Sequence, residues 1–173
     1  METIIKFKNR ETTARNGKLP NEALIFVDFH MRRDELDLVY ESIRYEIGRC
    51  SKNDYYHVIK VYINLMLDIE DIFQEIKNKY KNVDEYLIQM PLHVLELSYL
   101  LKAFKDYGEN LDKVPEENND KLYKLNLLVK RISLLIKNNY KGLKYLYTIY
   151  DKTKRLILLK EIWNNLPDLT MEG

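Results

Sequence analysis

The sequence predicts an all-α fold, a helical bundle of five to six helices with a short N-terminal arm. Apolar residues recur at spacings of three and four along most of the 173-residue chain, as expected for helices with one buried face. Polar clusters separate these stretches, and no segment gives a convincing sheet signal. With 46% hydrophobic residues the chain can bury one core. We therefore expect a flexible arm over residues 1–20, a single helical-bundle domain over 21–166 and a C-terminal tail over 167–173.

The N-terminal region gives the weakest structural signals. It is polar apart from an apolar patch over residues 4–7, which could form one short strand. Residues 21–33 are ambiguous, because the alternation in residues 24–29 allows a strand while Asn21, following Pro20, could cap a helix. The pattern favours a helix that begins at Asn21.

The middle of the chain predicts three helices and one connection. A helix is expected over residues 34–49, and the clearest one follows over about residues 54–80. A further helix is expected over residues 85–107, with a kink or restart at Pro91, which lacks a backbone donor. Residues 108–119 are polar and aperiodic, so they are predicted to be the main linker.

Two more helices are predicted in the C-terminal part, where the basic charge is concentrated. They cover residues 120–138 and 140–165, with a break at Asn138-Asn139 and a stop at Pro167. Residues 120–160 carry eleven Lys or Arg residues against two acids, a net charge of +9, while the rest of the chain carries −8. Such a separation creates a local field that steers anionic partners. DNA, RNA or an acidic protein surface could therefore bind this basic surface.

On a helical projection, the basic side chains of residues 120–160 fall into separate rows along the two predicted helices. Four basic residues of the last helix fall within about an 80° arc at 3.6 residues per turn, and the preceding helix adds two rows of residues seven apart. Lysines on helix faces usually just solvate the surface, but such rows can also contact successive phosphates. The candidate nucleic-acid-binding residues are Lys141, Lys144, Lys152 and Arg155, supported by Lys124, Lys130, Arg131 and Lys137.

The helix predicted over residues 120–138 is apolar on two sides. Its main face belongs to the core, while Leu127 and Leu134 lie on the opposite side, between the basic rows. A helix of this kind usually packs between two neighbours, which belong to its own chain or to a partner. Leu127 and Leu134 are therefore either further core positions or the candidate protein interface. The last helix repeats the pattern, with a second apolar face formed by Ile149, Leu156 and Trp163.

No constellation of residues indicates catalysis. His30 with Asp34, and His93 with Glu96, are isolated pairs that supply too few ligands for a metal ion. The five glycines form no phosphate-binding loop. Cys50 is the only cysteine, which excludes an internal disulfide, and positive neighbours would lower the pKa of its thiol. We expect no enzyme activity, no metal and no cofactor.

Two hypotheses of function follow. The first is a non-enzymatic helical protein–protein interaction module, acting as a subunit or adaptor in a complex with a protein partner or with further copies of itself. The alternative is a nucleic-acid-binding accessory protein that uses the basic C-terminal helix surface. The sequence lacks a signal-peptide-like start and a long uncharged apolar run. We therefore expect that the protein does not contact a membrane and that it is cytoplasmic. The cytoplasm could also be that of a cell infected by a virus.

Overall fold

The computed structural model describes residues 3–6, 26–51, 56–83 and 85–138. Within these ranges the chain forms four helices and a three-stranded mixed sheet. The prediction of an all-α bundle of five to six helices is therefore wrong: the described part is rich in helix but also contains a sheet. The elements in chain order are β1 (Thr3–Lys6), β2 (Phe26–Met31), α1 (Arg33–Ser51), α2 (Tyr56–Lys79), β3 (Tyr86–His93), α3 (Val94–Leu111) and α4 (Pro115–Asn138).

The sheet has β3 at its centre, in the order β1–β3–β2. β1 runs parallel to the first half of β3, and Ile5 of this short strand is buried. β2 runs antiparallel to β3, with Phe29 opposite Met90. Both of these side chains are buried, so the pairing places one face of the sheet against the helices.

The helix predicted to begin at Asn21 is wrong over residues 26–31, which form β2. The side chains of Phe29 and Met31 are buried, whereas those of Asp28 and His30 are exposed. This alternation is the period of a strand with one buried face. Tertiary pairing with β3 therefore outweighs the helix-start signal at Pro20-Asn21, which lies outside the described residues.

The helix predicted over residues 85–107 is also wrong in its first third, which forms β3. Sequence periodicity does not distinguish a short, fully buried strand from the start of a buried helix. Pro91 lies within this strand but beyond residues 86–89, which are the ones that pair with β1. The missing amide hydrogen of Pro91 therefore removes no hydrogen bond between β3 and β1.

The linker predicted over residues 108–119 is wrong. α3 continues to Leu111 and α4 begins at Pro115, so the connection is a turn over residues 112–114. Proline suits the first position of a helix, since its φ angle is already helical and its missing N–H would have no partner there. Glu116 and Glu117 in the first turn further favour this start, because they oppose the positive end of the helix dipole.

One core joins the helices to the sheet. The helices predicted over residues 34–49 and 54–80 are found as α1 and α2, and their apolar stripes are buried as expected. α1 packs against α2 and α3, and α4 packs mainly against α3. The helix predicted over residues 140–165 and the tail over 167–173 lie outside the described residues.

Candidate protein-binding surface on the α3–α4 hairpin

α3 and α4 form a helical hairpin with a short, well-bonded turn. The amide of Val114 donates to the carbonyl of Leu111 at 3.1 Å. The side chain of Asn118 donates through Nδ2 to the carbonyls of Leu111 and Val114, at 3.1 and 3.0 Å. The bonds to Leu111 satisfy a carbonyl group that the end of α3 leaves without a helical partner. The turn therefore fixes how the two helices diverge.

A groove of about 720 Å³ lies between α3 and α4. A Cβ atom added to Gly108 would meet no atom within 4 Å, so the groove is open at this point. Burial lowers the pKa of Lys105 at the groove edge, and the negative charge of Glu109 partly offsets this effect. The lining is apolar at Phe104, Pro115, Leu122, Tyr123, Leu125 and Val129, and polar at Lys105, Glu109, Asp112, Asn119 and Asn126.

Three large side chains on the outer side of α4 are exposed. Tyr123 is 65% exposed, Leu127 38% and Leu134 54%. They lie opposite the buried face of the helix, which includes Leu125 and Leu128. We call Tyr123, Leu127 and Leu134 the outer row. In the described part of the chain Leu127 and Leu134 are not core residues, so the candidate interface remains available for a partner or for residues outside the described ranges.

Two of the basic residues proposed to support nucleic-acid binding make internal ion pairs instead. Lys124 Nζ lies 2.9 Å from Asp34 Oδ2, and this hydrogen bond holds the pKa of Asp34 below its usual range. Arg131 Nη2 lies 2.9 Å from Glu35 Oε2, and its Nη1 donates to the carbonyl of His30 at 2.9 Å. Both cations therefore join α4 to the start of α1.

The remaining predicted basic residues divide into two groups. Lys130 and Lys137 are exposed on α4 and flank Leu134. The four residues of the main predicted stripe, Lys141, Lys144, Lys152 and Arg155, lie outside the described residues. The structure thus brings Lys130 and Lys137 to one surface with the outer row, while it assigns Lys124 and Arg131 to contacts within the fold.

A second cluster of charged side chains lies between α1 and α3. The Glu46 side chain is fully buried, and its Oε1 accepts from Arg49 Nη2 at 2.6 Å and from Lys102 Nζ at 3.0 Å. Lys102 Nζ also lies 3.0 Å from Asp106 Oδ2, and Arg49 Nη2 lies 3.3 Å from the same oxygen. Two carboxylates and two cations therefore share this interface.

The protonation of the two carboxyl groups differs. Burial acts to raise the pKa of Glu46, but hydrogen bonds with Arg49, Asp106 and Lys102 outweigh burial and lower it. Burial, and then the hydrogen bond with Glu46, raise the pKa of Asp106. Glu46 Oε2 accepts no hydrogen bond from an N–H or hydroxyl group of the described residues. Burial and the neighbouring Glu46 therefore both favour the neutral, protonated form of Asp106.

Cys50 lies beside this cluster, and its environment differs from the sequence-based expectation. Its Sγ is 3.8 Å from Glu46 Oε1 and its side chain is buried. Burial, followed by the negative charge of Glu46, raises the pKa of the thiol. The expected net lowering is therefore wrong: Arg49 and Lys102 do act to lower the pKa of the thiol, but burial and the charge of Glu46 outweigh them.

The described residues contain no group of three His, Cys, Asp or Glu placed to hold a metal ion. His30 is exposed at the edge of β2, and Asp34 is paired with Lys124. Sequence reasoning missed both the groove and the Glu46 cluster. The local signal for the cluster is a Glu between apolar Ile43 and Ile47 on the buried side of α1, which requires a buried partner.

No protein family, curated protein or solved structure matches this chain. No helix among the described residues is both long enough and apolar enough to cross a membrane.

Proposed function

We propose that this protein is a non-enzymatic, helix-rich interaction module that acts as a subunit of a complex, and that a second copy of the chain docks on the outer row. The observation that carries the proposal is the position of Tyr123, Leu127 and Leu134 on the side of α4 opposite its buried face. A helix with two apolar sides buries the second side against a neighbour.

An antiparallel arrangement of two α4 helices is self-complementary. A two-fold axis near the middle of the outer row brings Tyr123 of each copy opposite Leu134 of the other. Leu127 then lies opposite Lys130, whose aliphatic stem can cover a leucine. A two-fold interface uses the same patch on both subunits, and the outer row meets this requirement.

The charges beside the outer row favour the same arrangement. The axis that pairs Tyr123 with Leu134 also brings Asp120 opposite Lys137. The Asp120 side chain is 79% exposed, although its Oδ2 lies 3.1 Å from Lys124 Nζ, and Lys137 is exposed. Opposite charges at an interface rim fix the register and direction of association more than they add affinity. A parallel pair would instead place like charges together at both ends.

Sedimentation velocity of the full chain over a range of concentrations tests this proposal. We expect the wild-type protein to dimerise and Leu134→Glu to remain monomeric at the same concentrations. Leu67→Glu is the matched control, because Leu67 is 49% exposed on α2, which packs mainly against α1. A wild-type protein that stays monomeric throughout, or equal losses in both variants, would contradict the proposal.

Nucleic-acid binding is a second proposal, supported by the exposed Lys130 and Lys137 beside the outer row. Fluorescence anisotropy with single- and double-stranded DNA and RNA at two salt concentrations tests it. Phosphate contacts predict an affinity that falls steeply with salt and that drops in Lys137→Glu, but not in Lys77→Glu on α2. Binding that does not change with salt, or no binding, would rule it out.

We also propose a cytoplasmic location, supported by the single cysteine and its buried free thiol. Cytosolic proteins keep their thiols reduced. Thiol titration of the unfolded protein, immediately after isolation from its native cell, should give one free thiol per chain. A cysteine found in an intermolecular disulfide would contradict the proposal.

A further inference from the structure

We propose that the groove between α3 and α4 binds a basic amphipathic helix of a partner protein, and that the basic residues of this helix lie at the turn end of the groove. This inference goes beyond the proposed function, because it concerns a different surface and a different partner. Tyr123 borders both surfaces. The shape, the apolar lining and the charge of the groove identify the occupant.

The shape of the groove suits a helix. Its lining extends along α4 from Pro115 to Val129, a length of about 21 Å at 1.5 Å per residue. A helix of about four turns has the same length. Both walls are helices, whose backbone groups are bonded within each helix, so the walls offer no edge to an extended strand. A helical ligand needs no such edge, because its own backbone is bonded internally.

The apolar part of the lining matches one face of such a helix. Phe104 and Leu125 are buried and form the floor, whereas Leu122 and Val129 are only partly buried. Leu122 and Val129 are seven residues apart on α4, so about 10.5 Å separates them along the groove. Apolar residues at positions i, i+3, i+4 and i+7 of a docked helix span the same distance. Docking therefore removes the remaining apolar surface of Leu122 and Val129 from water.

The turn end of the groove is strongly acidic. Residues 109–120 carry five exposed acidic side chains against one exposed lysine, a net charge of −4, and Lys105 in the lining reduces this charge to −3. Opposite charges at the rim of an interface select the partner and its orientation. A basic segment is therefore attracted and an acidic one is repelled. The charged residues in this range are Glu109, Asp112, Lys113, Glu116, Glu117 and Asp120.

The next lysines along α4 do not cancel this charge, because each is paired within the fold. Lys121 Nζ lies 3.1 Å from Glu41 Oε2. Lys124 Nζ lies 2.9 Å from Asp34 Oδ2 and 3.1 Å from Asp120 Oδ2. The excess negative charge at the turn end therefore persists.

A labelled synthetic peptide of about four helical turns is the probe. It has leucine at positions i, i+3, i+4 and i+7 and lysine at the other positions, and fluorescence anisotropy measures its binding to the full chain. We expect this lysine peptide to bind with an affinity that falls as the salt concentration rises. One control peptide has glutamate in place of lysine, and another has the same residues in an order without an apolar face. Both controls should bind about tenfold more weakly.

Asp112→Lys tests the charge of the groove, and Gly108→Gln tests its open space. Lysine is favourable near the C-terminal end of α3, and a Cβ atom at Gly108 would meet no atom within 4 Å. Both variants should therefore fold, as circular dichroism can verify, and each should weaken binding of the lysine peptide about fivefold. The matched controls are Asp71→Lys and Gly48→Gln, at exposed positions of α2 and α1, which should bind it as the wild type does.

Three results would overturn the proposal. The first is a lysine peptide that does not bind the wild-type protein, and the second is equal binding by the groove variants and their controls. The third concerns the outer row, because Leu134→Glu leaves the groove unchanged and should bind the peptide as the wild type does. Loss of peptide binding in Leu134→Glu would instead place the peptide on the outer row.

Sedimentation velocity separates this proposal from the proposed function. Gly108→Gln should dimerise as the wild type does, because the outer row is unchanged. Loss of dimerisation in Gly108→Gln would assign the groove to a second copy of the chain and would overturn the proposal. A wild-type protein that stays monomeric but binds the lysine peptide would contradict the proposed dimer alone.

Discussion

Lys102 Nζ lies 3.0 Å from Glu46 Oε1 and joins α3 to α1 across 56 residues of sequence. The same ammonium group lies 3.0 Å from Asp106 Oδ2, one turn along α3. Since Glu46 is fully buried, its charge depends on these partners and on Arg49. The α3–α4 hairpin is thus held against α1 by a charged contact as well as by apolar packing.

Replacing Lys102 by methionine should destabilise the fold. Lys102→Met keeps the length of the side chain but removes one hydrogen-bond donor from the buried Glu46, and we expect the free energy of unfolding to fall by about 1–2 kcal/mol. Urea unfolding measures the change. Lys77→Met, an exposed site on α2, serves as the control. An equal effect at the two sites would show that the Glu46 contact contributes little.

The raised pKa of Asp106 predicts a specific pH dependence. The pKa of Asp106 is raised above 3.8 in the folded protein, so its contribution to stability is complete below that value and is lost as the pH rises through the raised pKa. Asp106→Asn imitates the neutral acid and loses nothing over this range. The free energy of unfolding of Asp106→Asn, relative to wild type, should therefore increase as the pH rises above about 4.

Urea unfolding at several pH values measures this difference, with Asp71→Asn on the exposed side of α2 as the control. The pKa of Glu46 is lowered, so its own contribution has the opposite sign: it is present above pH 4.5 and is lost as the pH falls through the lowered pKa. Glu46 is present in both the wild type and Asp106→Asn, so the comparison of these two proteins isolates the effect of Asp106. A relative stability of Asp106→Asn that stays constant or decreases with rising pH would contradict the raised pKa of Asp106.

Arg131 should matter for stability and Lys137 should not. Arg131→Gln removes the ion pair with the nearly buried Glu35 and the bond to the His30 carbonyl, which together connect α4 to α1 and β2. We expect a loss of about 1–3 kcal/mol. Lys137→Gln, on the exposed side of α4, should change the free energy of unfolding by less than about 0.5 kcal/mol. Thermal or urea unfolding measures both variants. If Arg131→Gln leaves the free energy of unfolding unchanged, Arg131 does not stabilise the fold and is available for a ligand.

The hydroxyl of Tyr62 should contribute to the contact between α2 and α3. It donates to the carbonyl of Tyr99 at 2.7 Å, and the ring is buried. Tyr62→Phe keeps the ring and removes the bond, so we expect a cost of about 0.5–1.5 kcal/mol in unfolding experiments. Tyr123→Phe, at an exposed ring, should be neutral. If Tyr62→Phe leaves the free energy of unfolding unchanged, this hydrogen bond makes no net contribution to stability.

The helices were easier to predict from the sequence than the strands. α2 shows apolar residues at spacings of three and four over its whole length, a pattern that local chemistry alone produces. β3 reads YLIQMPLH, and only its pairing with Ile5 and Phe29 in distant strands makes it a strand. In β2 the alternation around Phe29 indicates a strand, whereas the helix-start signal at Pro20-Asn21 before it indicates a helix.

The candidate site was predictable where it depends on one helix. The spacing of Leu127 and Leu134 placed both on the outer side of α4 without knowledge of its neighbours. The groove depends on how α3 and α4 diverge from the turn at residues 112–114, whereas the polar, aperiodic residues 108–119 predict a linker there. The roles of Lys124 and Arg131 depend on Asp34 and Glu35, which lie far away in sequence and next to α4 only in the fold.

Exchange of the charges at Asp120 and Lys137 tests the antiparallel assembly most directly. Asp120→Lys and Lys137→Asp should each place two like-charge pairs in the homodimer and raise its dissociation constant about tenfold. An equimolar mixture restores opposite charges in both pairs of a heterodimer. Sedimentation velocity should therefore show weak self-association of each variant and near-wild-type association of the mixture. A mixture that associates no better than its separate components would contradict this arrangement.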